Sequence, residues 1–285
     1  MFIVGTVPEP GCPLVMGAAE MDAGHIFISG RSFRINRGTP ALIAAAIQAC
    51  RTLGKPMPLV CLAGDVGLGD GSRLLYRYLD ENIGRLMPGG VVVFHYLQPD
   101  VDWHNRVLLS FAEECPRARL VADAGFMYAA KMSGQASAYH LFTPDVGELA
   151  FLADEKAPHP FYTRGFILHM EDQVPEMIAR AYRFQNAAKC LLVKGKKDYV
   201  AEDGDIRFVI DDPSVAALEP IGGTGDTVTG IAAALMDAGM PTAVAANAAA
   251  KINRLAGRYA DPTPATQVSE IVTHIRRAVQ TVILD

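Results

Sequence analysis

Apolar and polar positions alternate along this chain in two rhythms. Short continuous apolar runs predict strands at His25–Ser29, Leu59–Ala63, Val91–Phe94, Arg119–Ala122, Tyr139–Phe142 and Cys190–Val193. Longer stretches with helical periodicity predict helices near Thr39–Leu53, Ser72–Leu86, Val101–Glu114 and Val174–Ala188. Tyr199–Ala201 and Ile206–Ile210 form a hairpin pattern across the Glu202–Asp205 turn. Three helices are predicted to finish the chain: one after Asp226, one from Pro241 to Leu255, and one near Ala265–Leu284. Continuous apolar strands separated by helices are what a parallel sheet covered on both faces requires. The fold expected is therefore α/β, a three-layer αβα sandwich with a mostly parallel central sheet. No Gly-, Pro- or Ser-rich linker divides the sequence, so residues 1–285 read as a single domain, its least regular stretch lying at Asp154–Asp172 as a lid or an oligomer contact.

Composition narrows the class of function. Half of the 285 residues are apolar, a fifth are charged, and the formal net charge is −5, which argues against a general nucleic-acid surface. The five cysteines show no CxxC spacing and read as buried free thiols of a reducing cytosol; the seven histidines show no metal-site spacing. No signal peptide and no membrane-length apolar run is found, so a cytoplasmic location is expected.

The densest chemistry lies at Gly222-Gly223-Thr224-Gly225-Asp226, a glycine-rich loop opening into the helix that ends at Gly239. The first amides of a helix lack intrahelical partners and the helix dipole favours negative charge there, so such a loop suits an anion. A carboxylate at that mouth is electrostatically awkward, which suits a catalytic Asp226 as well as an ordinary capping one. Three further segments end strands of the same sheet, where ligands of such folds gather. Thr143-Pro144-Asp145-Val146-Gly147-Glu148 places Asp145 and Glu148 three apart at a helix start, either to hold Mg²⁺ or to cap the helix. Lys194-Gly195 ends a strand within reach of a phosphate, or forms a plain surface turn. Asp123 can touch ligand hydroxyls or magnesium, or equally cap Gly125-Phe126.

Taken in order, strand–Asp, strand–TPxxxE, strand–KG and GGTGD resemble the ribokinase-like superfamily, most closely its NAD(P)H-hydrate dehydratase branch. Gly222–Leu235 carries that branch's signature loop and helix, and the likeness extends over Ala245–Gly257, Leu191–Val200, Leu120–Glu148 and Gly24–Gly54. The resemblance implies a single ribokinase-like domain, ATP or ADP with Mg²⁺, a small-molecule substrate, and self-association into a homo-oligomer. It implies Asp226 as the base that takes a proton from a substrate hydroxyl. Gly223, Thr224, Gly225, Lys194 and Gly195 would bind nucleotide phosphate, Glu148 and Asp145 the metal, and Asp123, Gly30 and Asp145 the substrate.

The sequence also departs from that branch. Asp145-Val146 stand where the dehydratases have histidine and proline, and resemble the ribokinase Asn-x-x-Glu motif instead. Asp123-Ala124-Gly125 lacks the second aspartate of a DAD motif. His95-Tyr96-Leu97-Gln98-Pro99 occupies the place of a GPGLG loop, while Gly64–Gly69 is glycine-rich one strand too early. Three activities follow as alternatives: a dehydratase that phosphorylates and then eliminates, a kinase for a small hydroxylated metabolite such as a sugar or vitamin precursor, and a catalytically silent nucleotide binder.

Overall fold

The computed structural model describes residues 1–86, 89–156 and 171–284. Most of the irregular Asp154–Asp172 stretch, singled out above as a lid or oligomer contact, lies outside the described residues.

The chain opens with a strand, β1 (Phe2–Val7), buried at all six positions, and β2 (Val15–Ala18). A small antiparallel sheet follows, built from β3 (Glu20–Asp22), β4 (His25–Ile28) and β5 (Arg31–Arg34). Helix α1 (Thr39–Thr52) starts with Pro40 in its first turn, where the missing N–H costs nothing. Then come β6 (Leu59–Gly64), α2 (Asp70–Leu86), β7 (Val91–His95), α3 (Val101–Glu114) and β8 (Arg119–Asp123). Next are α4 (Gly125–Met132), β9 (Leu141–Phe142), α5 (Val146–Ala153), α6 (Val174–Arg183) and β10 (Cys190–Val193). The hairpin β11 (Asp198–Glu202) and β12 (Asp205–Ile210) leads to α7 (Thr224–Asp237), α8 (Thr242–Tyr259) and α9 (Val268–Val279).

The large sheet has the order β12-β11-β10-β9-β8-β7-β1-β6-β2. Its interior, from β10 to β6, is parallel, and antiparallel strands close both edges. Successive side chains on each strand point to opposite faces. Ile3, Val93, Val121 and Leu192 pack with α1, α7, α8 and α9 on one face. Val4, Phe94, Ala122 and Leu191 pack with α2 to α6 on the other. The three-layer expectation therefore stands, and ribokinase-like structures share the architecture. Helices α1 and α7 approach closely because Gly230 presents no side chain: a Cβ there would collide with the Leu42 carbonyl.

Several boundaries move. His25–Ser29 is not the opening strand of the main sheet; β4 belongs to the small sheet, and Phe2–Val7 takes the central place. The alternating burial of β4 marks a strand with one wet face, whereas a strand inside a parallel sheet is dry on both. The strand at Tyr139–Phe142 shortens to β9, the helix at Val174–Ala188 stops at Arg183, and the last helix begins at Val268 and ends in a π-turn at Gln280–Leu284. All five cysteines are free and buried. No helix among the described residues is long and apolar enough to cross a membrane.

Candidate active site

Strand alternation places the site. Counting outward from the core positions, His95 at the end of β7, Asp123 at the end of β8, Thr143 after β9 and Lys194 after β10 all fall on the face that carries α7. Register does the rest, since His95 pairs directly with Asp123 across β7 and β8. Lys194 is tied back by its amide to the Pro144 carbonyl at 2.8 Å and bridges to Asp145. Apolar strands thus end in polar residues that meet the first turns of α7.

There they form one hydrogen-bonded cluster. Lys194 Nζ donates to both oxygens of Asp123 at 3.0 Å, and Thr229 Oγ1 of α7 donates to Asp123 Oδ2 at 2.6 Å. The Ala124 amide adds a bond to Asp123 Oδ1 at 2.9 Å. Since the Thr229 hydroxyl is spent on Asp123, the Thr143 hydroxyl donates to Thr229 at 2.9 Å. Asp226 Oδ1 lies 3.0 Å from His95 Nε2, and its Oδ2 accepts from the Gly38 amide at 2.7 Å. His95 is fully buried and its Nδ1 sits 2.9 Å from Thr39 Oγ1. Gly5 leaves the room for this: a Cβ there would come within 2.7 Å of the Thr39 methyl. One donor atom each of His95, Asp123 and Asp226 lie within 4.8 Å of one another. The Lys194 ammonium already supplies positive charge to that corner.

Electrostatics follow from this packing. Burial works against charge on Lys194, but the carboxylates of Asp123, Glu148 and Asp226 outweigh it and hold the ammonium above its ordinary range. Burial likewise works to raise the Asp226 carboxyl. The His95 hydrogen bond, Lys194 and the Gly38 amide hold it below the carboxylate range instead.

At the start of α7, Gly223 is the N-cap, in the left-handed region at φ 100°, and brings no capping side chain. The first turn closes with the Thr227 amide on the Gly223 carbonyl at 3.0 Å. The amides of Thr224, Gly225 and Asp226 precede that first intrahelical bond and take no side-chain cap, so they are the donors this helix start can offer a ligand. Lys194 runs alongside Gly225, where a Cβ would touch its Nζ at 3.9 Å, and Arg37 flanks Gly222 and Gly223. The carbonyl of Thr224 is held from behind by Asn253 Nδ2 at 3.1 Å.

The other expected residues are arranged differently. Asp145 and Glu148 form a reciprocal capping box at α5: Asp145 Oδ1 accepts from the Glu148 amide at 2.7 Å, and Glu148 Oε2 from the Asp145 amide at 2.8 Å. Tyr128 donates to Glu148 Oε1 at 3.2 Å. Burial and the Asp145 carboxylate push Glu148 up, to about 8. Asp123, 2% exposed, stands behind Lys194 with both oxygens engaged. The Gly195 amide is taken by Asp198 Oδ1 at 3.1 Å, and Arg254 clamps that turn through Asp198 and the Gly195 and Lys196 carbonyls. Gly30 lies in the β4–β5 turn, where Ser29 bonds Met16, and no described contact joins it to the Asp226 cluster.

His95 and Tyr96 join this cluster, although the sequence reading gave neither of them a role. Tyr96 has φ 56°, packs over Gly38, and meets the His95 ring edge-on with centroids 4.3 Å apart. A polar residue closing the apolar run Val91–Phe94, as Asp123 closes Leu120–Ala122, was the available signal.

The chain has relatives among known proteins. A protein of Methanocaldococcus jannaschii, the uncharacterised MJ1337, is 38% identical over 240 residues, covering 84% of this chain and 98% of that one. Ribokinase from Giardia lamblia shares the fold with a TM-score of 0.54 at 12% identity, covering 98% of this chain and 99% of that one. Pyridoxal kinase from Staphylococcus aureus, solved with AMP-PCP and pyridoxal, gives 0.52 at 13% identity over 88% of this chain and 86% of that one. Residues 98–280 match the carbohydrate-kinase family model described as NAD(P)H-hydrate dehydratase. That span is more than half of the chain, and the chain belongs to this family of ribokinase-like enzymes.

Proposed function

We propose that this enzyme is a nucleotide-dependent NAD(P)H-hydrate dehydratase, which transfers a phosphoryl group to a substrate hydroxyl and then eliminates phosphate. The observation that carries this reading is the start of α7: open amides beside a cationic Lys194, with the Asp226 carboxylate on the same turn. Phosphoryl transfer needs positioning and charge neutralisation more than covalent chemistry from the protein. The amides of Thr224, Gly225 and Asp226 hold the transferring group, and Lys194 neutralises nucleotide phosphate. Asp226, fixed at one oxygen by His95 and at the other by Gly38, keeps a free lone pair to receive the hydroxyl proton. In the dehydratase reaction the ring nitrogen then expels phosphate from the ester carbon and the neighbouring ring carbon loses a proton to solvent, restoring the reduced nicotinamide.

Asp145 and Glu148 fit a divalent cation, because two crowded carboxylates, one of them pushed toward its neutral form, gain from a positive charge between them. Bound there, Mg²⁺ would neutralise phosphate charge. Their capping bonds leave the outer lone pairs to reach it directly or through water.

A kinase acting on another small alcohol is the second reading, favoured by the acceptor side. Tyr96 and His95 stand where the dehydratases have a glycine loop, and Asp145 where they have histidine. Incubation with hydrated NADH, ATP or ADP and Mg²⁺ separates the two. Recovery of reduced-nicotinamide absorbance supports the dehydratase; nucleotide consumption only with a different alcohol supports the kinase. Nucleotide binding without turnover of any acceptor overturns both.

A further inference from the structure

We infer that His95 is held as an imidazolium, the built-in counter-cation that keeps Asp226 ionised and aimed at the anion site, and is thus a positioning residue for the reaction proposed above. The assignment follows from hydrogen-bond direction. Thr39 Oγ1 lies 2.7 Å from the Thr6 carbonyl, which has no proton to offer, so the Thr39 hydroxyl proton points there. The same oxygen is 2.9 Å from His95 Nδ1, so that nitrogen carries a proton and donates it. Nε2 faces Asp226 Oδ1 at 3.0 Å and Asp123 Oδ2 at 3.8 Å. A bare lone pair there would oppose carboxylate lone pairs, so Nε2 carries a proton as well. That proton rests on nitrogen, because the Gly38 amide on the other oxygen of Asp226 and the nearby Lys194 both favour the carboxylate.

The consequence is a neutral site floor: Asp123 and Asp226 are balanced by Lys194 and His95. The carboxylate that looks misplaced at the mouth of an anion site then repels nothing. Further charges face the cluster from Glu148 and Asp145 of α5 and from Arg37 before α1, and the Tyr96 phenol lies over it. Losing His95 leaves the floor with a net negative charge just where polyphosphate must enter.

Imidazole nitrogen NMR on the intact protein at neutral pH tests this, with the His95 signals assigned by their loss in H95Q. The expected result is protons on both ring nitrogens of His95. His104 serves as an internal contrast: equally buried, but bonded to the neutral hydroxyls of Tyr139 and Ser133, it stays uncharged because burial pushes it down to about 4. In D226N the Nε2 proton of His95 should be lost. A neutral His95 ring in the wild-type protein overturns the inference whether or not turnover is seen. A charged ring in a protein that turns over no acceptor supports the imidazolium and instead overturns the phosphoryl-transfer reading. In an active enzyme, H95Q keeps a donor without the charge. It should move the acid limb of the kcat profile upward by about one pH unit; an unmoved limb overturns the positioning role.

Discussion

Helices α5 and α7 both begin with an acidic first turn at the same edge of the sheet, and their beginnings are built in opposite ways. At α5 the acids turn inward on the backbone, Asp145 and Glu148 each satisfying the other's amide. At α7 the cap is a bare glycine, and the acid of the first turn looks away, toward His95 and Gly38. One helix start is closed by its own side chains; the other has no side-chain cap. Donors without a side-chain cap, beside a lysine, suit an anionic ligand. The contrast shows that an acidic residue in a first turn has no fixed meaning: what its oxygens are bonded to decides.

The largest effect that tests the contrast is on chemistry at α7. D226N should lower kcat by roughly 10²- to 10⁴-fold while far-UV circular dichroism stays unchanged. Substantial turnover in that variant would make the α7 acid as structural as those of α5.

Next comes the support beneath it. K194M strands Asp123, 2% exposed, without its cation. It should cost about 3–5 kcal/mol in urea unfolding, as removing one partner of a buried pair does. A loss below about 1 kcal/mol would mean that water replaces the ammonium and that the cluster is not tightly built.

The two acids should also respond to pH with opposite slopes. Glu148 is raised from 4.5 to about 8, so the folded state binds the extra proton, and its contribution to stability falls as pH rises through that window. Asp226 is lowered from 3.8, so its contribution is present above that value and disappears as pH falls through the folded value. Thermal melts of wild type and E148Q without divalent cation should therefore diverge with rising pH, E148Q losing less. Mg²⁺ should narrow the gap if Glu148 helps to hold it. Parallel curves would show that Glu148 is not held toward its neutral form, and a gap unchanged by Mg²⁺ would remove it from the metal site.

The smallest effect is at the closed start. D145A should cost about 1 kcal/mol, the usual value of an N-cap, read from chemical denaturation. A markedly larger loss would show that Asp145 also supports Lys194 through the bridge between their backbones.

Much of the fold was legible, and unevenly so. The strands at Leu59, Val91, Arg119 and Cys190 and the helix Val101–Glu114 were readable because each is flanked by turns and has one strong period. Phe2–Val7 was passed over for His25–Ser29, although its continuous apolar run suits the dry centre of a parallel sheet better than the half-wet alternation of β4. That the glycine loop opens a helix was legible because turn chemistry is local, and the structure brings Lys194 alongside it. The roles around them were not. Asp123 reads as a ligand contact from its strand-end position, yet burial turns it into the anchor of Lys194.

By itself the sequence determined most of the parallel strands and long helices and the place of the glycine loop at a helix start, since period, turn residues and glycine placement act over a few residues. Only the tertiary structure decided that His95 sits 3.0 Å from Asp226 across 131 residues of chain. Crossovers between parallel strands set which polar ends become neighbours, and side-chain alternation sets which face they share. No local pattern carries either fact, so the counter-charge at the site emerges only when the sheet is assembled.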